Sequence, residues 1–140
     1  MNNPADLLPH DFFARAVQFQ RAFGELKEPA YPLHDWPRYF MLCHAIELAL
    51  KAFLAHKGAT YQQLKDFGHN LTELLRDATQ KGLSLTAPTH LSIVTLNEAH
   101  TKFWHRYPTP EGGPWTFPLI GQFEGAAGEL IQQVDKATSQ

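Results

Sequence analysis

The feature that most constrains the fold of this chain is an apolar run from Tyr39 to Ala55, YFMLCHAIELALKAFLA. The run is long enough for about four to five helical turns. Only three ionisable or strongly polar residues, His44, Glu47 and Lys51, interrupt it. A helix that is apolar nearly all round is normally buried at the centre of a domain. The run therefore predicts a helical fold built around one central helix.

The three polar residues of this helix follow the spacing i, i+3, i+7 and so share one narrow stripe. Buried ionisable groups need partners or change their protonation. Glu47 and Lys51 form an i,i+4 pair in the favourable orientation, which is either a structural salt bridge or part of a functional site. His44 either donates a hydrogen bond to Glu47 or is a satisfied histidine of the core.

Length and charge narrow the class of protein. A chain of 140 residues fits one domain, residues 1–140, and its net charge of −2 gives no broad basic field for nucleic acid. Any contact with RNA would be local. Cys43 is the single cysteine, which favours a reducing, cytoplasmic location. We expect no membrane span, because Glu47 and Lys51 would lie near the middle of the apolar run.

Apolar residues recur at three- and four-residue spacing along most of the chain, and prolines and glycines separate the repeating segments. No strand-like alternation persists. We predict an all-α antiparallel up-down bundle of four to six helices. The predicted helices cover about residues 10–27, 37–56, 60–67, 70–82, 88–104 and 119–137.

The segment HRYPTPEGGPWTFP, residues 105–118, is rich in proline and aromatic residues, and we predict an irregular ordered loop. Trp115 and Phe117 add apolar surface that a small bundle has difficulty hiding. They predict a homodimer, or else they cover the chain's own core.

Several motifs occur in a fixed order between Arg38 and Pro108: HAIELALKAFL, GHNLTELL, KGL, LN and then RYP. This order resembles the HEPN superfamily, in particular stand-alone bacterial members in which one helix carries Glu and Lys four apart and the next long helix begins with Gly-His. The resemblance implies a helical bundle that often dimerises. It also implies roles in RNA cleavage, in toxin–antitoxin or other defence systems, or in nucleotide binding, with a nucleotidyltransferase or antitoxin as partner.

The catalytic branch of that family carries Arg followed four to six residues later by His. Arg38 and His44 satisfy this spacing and are the candidate catalytic residues. The pair lies before the Glu/Lys motif, whereas the family's pair lies after Gly-His. Six helical residues also rotate by about 240°, which places the two side chains on different faces of a regular helix. We therefore favour a member that lacks the standard ribonuclease motif.

The candidate ligand-binding residues are Glu47, Lys51, His69, Arg106 and Tyr107. His69 follows Gly68, and it either starts a helix structurally or brings a second imidazole near the stripe. Arg106 and Tyr107 precede a proline that forces an extended backbone. The Arg106 guanidinium would then pair with Glu47 or hold a phosphate.

No zinc site and no cofactor are predicted. His100 and His105 are five residues apart, and no HxxxH or Cys/His cluster is present in the sequence. The chain also lacks a glycine-rich phosphate loop.

Two functions remain open. In a binding or interaction module, the Glu47, Lys51 and Arg106 network would order the bundle or hold a nucleotide, RNA or another anionic ligand. In a metal-independent endoribonuclease, His44 or His69 would be general base or acid, and a cation would neutralise the phosphate. The mild acidity of the chain favours the binding module.

Overall fold

The computed structural model describes residues 4–26, 36–102, 118 and 120–139. These residues form an all-α structure, and no strand occurs among them. The α-helices are α1 (Pro4–Glu25), α2 (Trp36–His56), α3 (Tyr61–Asp66), α4 (Leu71–Gln80), α5 (Ala87–Thr101) and α6 (Glu124–Thr138). A short 3-10 helix, Ile120–Phe123, immediately precedes α6.

Helix α2 is the centre of the core, as its apolar sequence predicts. It contacts each of the other five α-helices. Side chains on all its faces are buried, including Leu42, Ile46, Leu50, Phe53 and Leu54. Burial of each such side chain contributes about 1.5–3 kcal/mol to folding. The five neighbouring helices therefore depend on one shared apolar surface.

The length and composition of α2 would also allow it to cross a membrane. In this fold, however, 72% of its most apolar window is buried inside the protein. The buried central helix of a packed helical fold has this pattern.

Cys43 lies in this core with its Sγ atom 4.0 Å from the Leu96 carbonyl oxygen. Burial raises the pKa of the Cys43 thiol, and the nearby Glu47 charge raises it further. Cys43 is therefore a protonated, apolar core residue.

Three glycines end helices or turns as the sequence predicts. Gly58, Gly68 and Gly82 have φ angles of 101°, 59° and 105°, a region that L-residues with a side chain rarely adopt.

Two helix starts are equally well defined by side-chain caps. Thr60 forms a reciprocal capping box with Gln63 at α3. The Asn70 side chain accepts a hydrogen bond from the Glu73 backbone N–H at α4.

Helix α1 begins at Pro4, six residues before the predicted start, and contains Pro9. Proline suits the first position of a helix because its φ is already helical and its missing N–H would have no partner there. Pro9 removes only one further backbone hydrogen bond. Partial burial of Leu8 and Phe12 against the core offsets that loss.

The start of the last helix and the exposed face of α5 also differ from the sequence-based prediction. The residues before α6 form a 3-10 turn instead of α-helix. On α5, Leu91 and Val94 are exposed, whereas Ile93 and Leu96 are fully buried. The apolar residues of α5 therefore occupy two faces, and only one of them faces the core.

Helices α5 and α6 are joined at the start of α5. The Thr86 backbone N–H and hydroxyl donate to the two carboxylate oxygens of Glu129 at 2.8 and 2.7 Å. At the start of α2, the Tyr39 hydroxyl donates to the Pro118 carbonyl oxygen. Several predicted features lie outside the described residues. They are the ends of the first and fifth helices, Leu119, and all of the loop over residues 105–118 except Pro118, including Trp115 and Phe117.

Replacing Gly58 with alanine is expected to lower the free energy of unfolding by about 1–2 kcal/mol. A Cβ atom at this position meets nothing within 4 Å, so the cost is backbone strain at φ 101°. Gly128→Ala is the matched control. It lies inside α6, its new Cβ would be 4.0 Å from the Gln20 side chain, and it is expected to add about 0.5–1 kcal/mol. Urea unfolding of both variants tests the pair, and equal effects would contradict the conformational explanation.

Candidate functional site

A buried carboxylate, Glu47, lies at the centre of a group of polar side chains inside the helical fold, and only 3% of the residue is exposed. Its Oε2 atom accepts a hydrogen bond from Lys51 Nζ at 3.1 Å. Its Oε1 atom is 2.9 Å from His69 Nδ1 and 2.9 Å from His100 Nε2. We call these four side chains the Glu47 cluster.

Three separate elements position the cluster. Helix α2 supplies Glu47 and Lys51 on adjacent turns, and α5 supplies His100. His69 lies in the tight connection between α3 and α4, just after the positive φ of Gly68. Lys51 Nζ also donates to the Gly68 carbonyl oxygen at 3.0 Å, which fixes this connection to α2.

The connection is also fixed to α5. The Asn97 side-chain oxygen accepts a hydrogen bond from the Leu71 backbone N–H at 2.7 Å, at the first turn of α4. An Asn97 side chain in this place satisfies a backbone donor that the helix itself leaves without a partner. The residues that hold His69 thus come from α2 and α5 together.

The carboxylate of Glu47 is ionised at neutral pH. Burial alone would raise its pKa, but the hydrogen bond from His100, the charge of Lys51 and the hydrogen bond and charge of His69 lower the pKa to about 2. A buried carboxylate that accepts several hydrogen bonds is stabilised as the anion.

The proton positions of the two histidines follow from their partner, because an ionised carboxylate can only accept hydrogen bonds. His69 therefore carries a proton on Nδ1, and His100 carries one on Nε2. Their exposure differs sharply: 50% of the His69 side chain is accessible, against 4% for His100. The cluster is therefore accessible from solvent on the His69 side.

The cluster also contains a set of metal-ligating atoms. One atom each from Glu47, His69 and His100 lie within 4.8 Å of one another. Spacing along the sequence gives no indication of this set, because the three residues are 22 and 31 positions apart. Folding brings them together from three elements.

His100 is the site residue that the sequence pattern fails to identify as functional. It lies one turn after Leu96 and two turns after Ile93, both of which are buried. This position on the apolar face of α5 is the signal that could have predicted a buried imidazole in need of a partner.

His44 occupies a different environment from the Glu47 cluster. Its ring stacks on Phe40 with a centroid distance of 5.5 Å and meets Phe19 of α1 edge-on at 4.4 Å. Among the described contacts, no hydrogen bond links His44 to Glu47. The interpretation of His44 as a packed core histidine fits these contacts.

A groove of about 390 Å³ lies beside His44, between α1 and α2. Asp11, Arg15 and Gln18 supply polar atoms to it. Arg15 Nε is 3.2 Å from Asp11 Oδ1, so much of the local charge is already balanced.

Arg38 is buried, with 6% of its surface exposed. Its guanidinium carbon lies 4.8 Å from the ring centroid of Phe23, a cation–π contact with α1. The structure thus places Arg38 and His44 against different rings of α1. Arg106 and Tyr107 lie outside the described residues.

Comparison with known protein families, with curated proteins and with solved structures finds no match for this chain.

Glu47→Gln is expected to lower the free energy of unfolding by about 3–5 kcal/mol, because it leaves the buried ammonium of Lys51 without its anion. Glu98→Gln is the matched control. Glu98 forms the same i,i+4 pair with Lys102 at 3.0 Å, but both side chains are more than half exposed, so its loss should cost less than about 1 kcal/mol. Denaturant titrations compare the two variants. A similar small loss in both would show that burial does not strengthen the Glu47 pair.

The imidazole of His44 is expected to titrate below the ordinary value of 6.5 in a pH series of NMR spectra. Burial of the ring lowers its pKa, Glu47 raises it, and His100, His69 and Lys51 lower it further. The unfolded chain therefore binds a proton here at a higher pH than the folded protein does. His44 contributes stability above pH 6.5 that is lost as the pH falls through the folded pKa.

Asp11 and Arg15 also line the groove beside this ring, and their opposite charges pair with each other. His44→Gln removes the titrating group, so it should flatten the dependence of stability on pH between 6.5 and the folded pKa. A His44 titration at or above 6.5 would contradict this prediction.

Proposed function

We propose that this protein is a HEPN-like helical-bundle module that binds an anionic ligand, an RNA or nucleotide phosphate, at the surface beside His69. In this proposal the bundle is antiparallel and lacks the standard ribonuclease pair of that family. The observation that carries the proposal is the direct connection between the sequence motifs at the Glu47 cluster.

Each motif supplies a part of one network. Glu47 and Lys51 come from HAIELALK, and they bond to His69 and to the Gly68 carbonyl oxygen of GHNLTELL. Asn97 of the LN motif holds the first N–H of α4. The residues that carry the resemblance are therefore physically dependent on one another, and this supports the family assignment.

The environment of the Arg38/His44 pair argues against the standard nuclease. A catalytic group must reach the reacting atoms of its substrate. The Arg38 guanidinium is covered and packs on Phe23, so it is not placed to contact an RNA backbone directly. The His44 ring packs on Phe19 and Phe40 and borders the groove between α1 and α2, apart from Arg38.

The surface beside His69 suits an anion for two reasons. His69 is the accessible member of the Glu47 cluster, with half of its side chain exposed. It also lies two residues before α4, whose N-terminus carries a partial positive charge that Glu73 of the first turn partly offsets. An anion at this surface would therefore contact the exposed edge of the His69 ring.

The proposal includes self-association as a homodimer and action with an antitoxin or nucleotidyltransferase partner in a defence system. These elements rest on the resemblance and on the exposed apolar residues Leu91 and Val94 of α5.

A metal-independent endoribonuclease is the second candidate, and one observation favours it. The hydrogen bond between the Glu47 carboxylate and His69 Nδ1 orients the ring, and in a neutral ring with Nδ1 protonated, Nε2 would carry the lone pair of a general base. His69 would then take the proton from a ribose 2′-hydroxyl, replacing His44 in that role.

Binding and cleavage are tested together with a fluorescein-labelled single-stranded RNA and with ATP, both in the presence of EDTA. The proposal predicts binding of at least one of them without cleavage. His69→Ala should weaken binding by about tenfold or more, the loss of one charge-assisted hydrogen bond. His56→Ala, an exposed histidine at the end of α2, is the control and should bind normally.

Equal binding by His69→Ala and the unaltered protein, or no binding of either probe, would reject the proposed site. Chelator-resistant cleavage that His69→Ala abolishes would establish the second candidate. Cleavage that only His44→Ala or Arg38→Ala abolishes would instead establish the family's standard pair.

A further inference from the structure

We propose that Glu47, His69 and His100 form a binding site for one divalent transition-metal ion, with zinc as the best match. Two imidazole nitrogens and one carboxylate oxygen are the ligand set of many zinc sites that keep a position for water or substrate. The open position would lie on the side of the half-exposed His69 ring.

The geometry is close to that of a coordination sphere. His69 Nδ1 and His100 Nε2 each lie 2.9 Å from the same Glu47 Oε1 atom. Tetrahedral ligands at about 2.1 Å from a zinc ion are about 3.4 Å apart. The two distances from Glu47 Oε1 would lengthen by about half an ångström to admit the ion, and the two imidazole nitrogens, which lie within 4.8 Å of each other, would turn toward the same point.

The other carboxylate oxygen is already held in place. Lys51 Nζ donates to Glu47 Oε2 and to the Gly68 carbonyl oxygen, so the rotamer of Glu47 and the position of His69 are fixed by the same group. Hydrogen bonds from outside the coordination sphere orient metal ligands in this way. Glu47 would thus bind the ion through Oε1 alone.

The donor set selects among metals. Magnesium and calcium prefer six or more oxygen ligands, which this cluster does not supply. Imidazole nitrogen is a good ligand for zinc and for other late first-row metals. Each neutral imidazole binds the metal through the nitrogen that now faces Glu47, after its proton moves to the other ring nitrogen.

A metal ion would also change the charge of the site. Glu47 and Lys51 cancel each other, and two neutral imidazoles add nothing, so a divalent ion would leave a net charge of about +2. That charge would attract a phosphate or carboxylate to the open position. Metal binding does not depend on the anion proposal, but it excludes use of the same His69 as a metal-free general base.

Zinc binding is tested on the full-length protein after removal of metals with EDTA. Isothermal titration with zinc chloride should give one ion per chain with a dissociation constant of about 1 μM or lower. Cobalt in place of zinc should give the visible d–d absorption of a four-coordinate site. Magnesium chloride should give no binding.

His69→Ala should weaken zinc binding by about a hundredfold or more, because loss of one of three ligands costs more than loss of a residue that only orients a ligand, which costs about 10–100-fold. His69 is half exposed and lies outside a helix, so this variant is expected to keep the helical circular dichroism spectrum of the unaltered protein. The double variant His10→Ala/His56→Ala removes two exposed histidines from other parts of the molecule and should bind zinc normally.

The metal site would be overturned if the titration showed no zinc binding, or if folded His69→Ala bound zinc as tightly as the unaltered protein. Loss of binding in the His10/His56 variant would also overturn it, since zinc would then be held at the surface. The RNA and ATP experiment is performed in EDTA, so the metal proposal and the anion proposal succeed or fail separately.

Discussion

The structure depends on the burial of one negative charge. Glu47 lies on the helix that contacts every other α-helix of the described fold, and its carboxylate is inside the core. Such a group destabilises a protein unless its oxygens receive hydrogen bonds. Lys51, His69 and His100 supply them from α2, from the α3–α4 connection and from α5. The same carboxylate that would be costly alone therefore fixes the relative positions of these elements.

The contacts of this network join short motifs that are far apart in the chain. Gly68 adopts a positive φ and turns the chain, its carbonyl oxygen accepts from Lys51, and His69 then reaches Glu47. Asn97 completes the first turn of α4 from the side of α5. Loss of any one of these contacts would leave a polar group of the core incompletely bonded.

The sequence predicts the helices well where local signals decide. The all-apolar pattern of α2 and the glycines at 58, 68 and 82 define the central helix and three chain turns. It predicts the buried state of Glu47 and Lys51 for the same reason. It does not predict His100 as their partner, because that contact joins residues 53 positions apart and depends on how α5 packs on α2. The start of α1 is missed because Pro9 is tolerated within a helix that the core contacts of its neighbours stabilise.

The attachment of His69 to Lys51 through the neighbouring Gly68 has a consequence for how this surface can evolve. The solvent-exposed imidazole of His69 is held in place by contacts with buried side chains of α2. Substitutions that change the size of core side chains packed against α2 would move the His69 ring without contacting it. The packing of the apolar centre is thereby coupled to the position of the His69 ring at the surface.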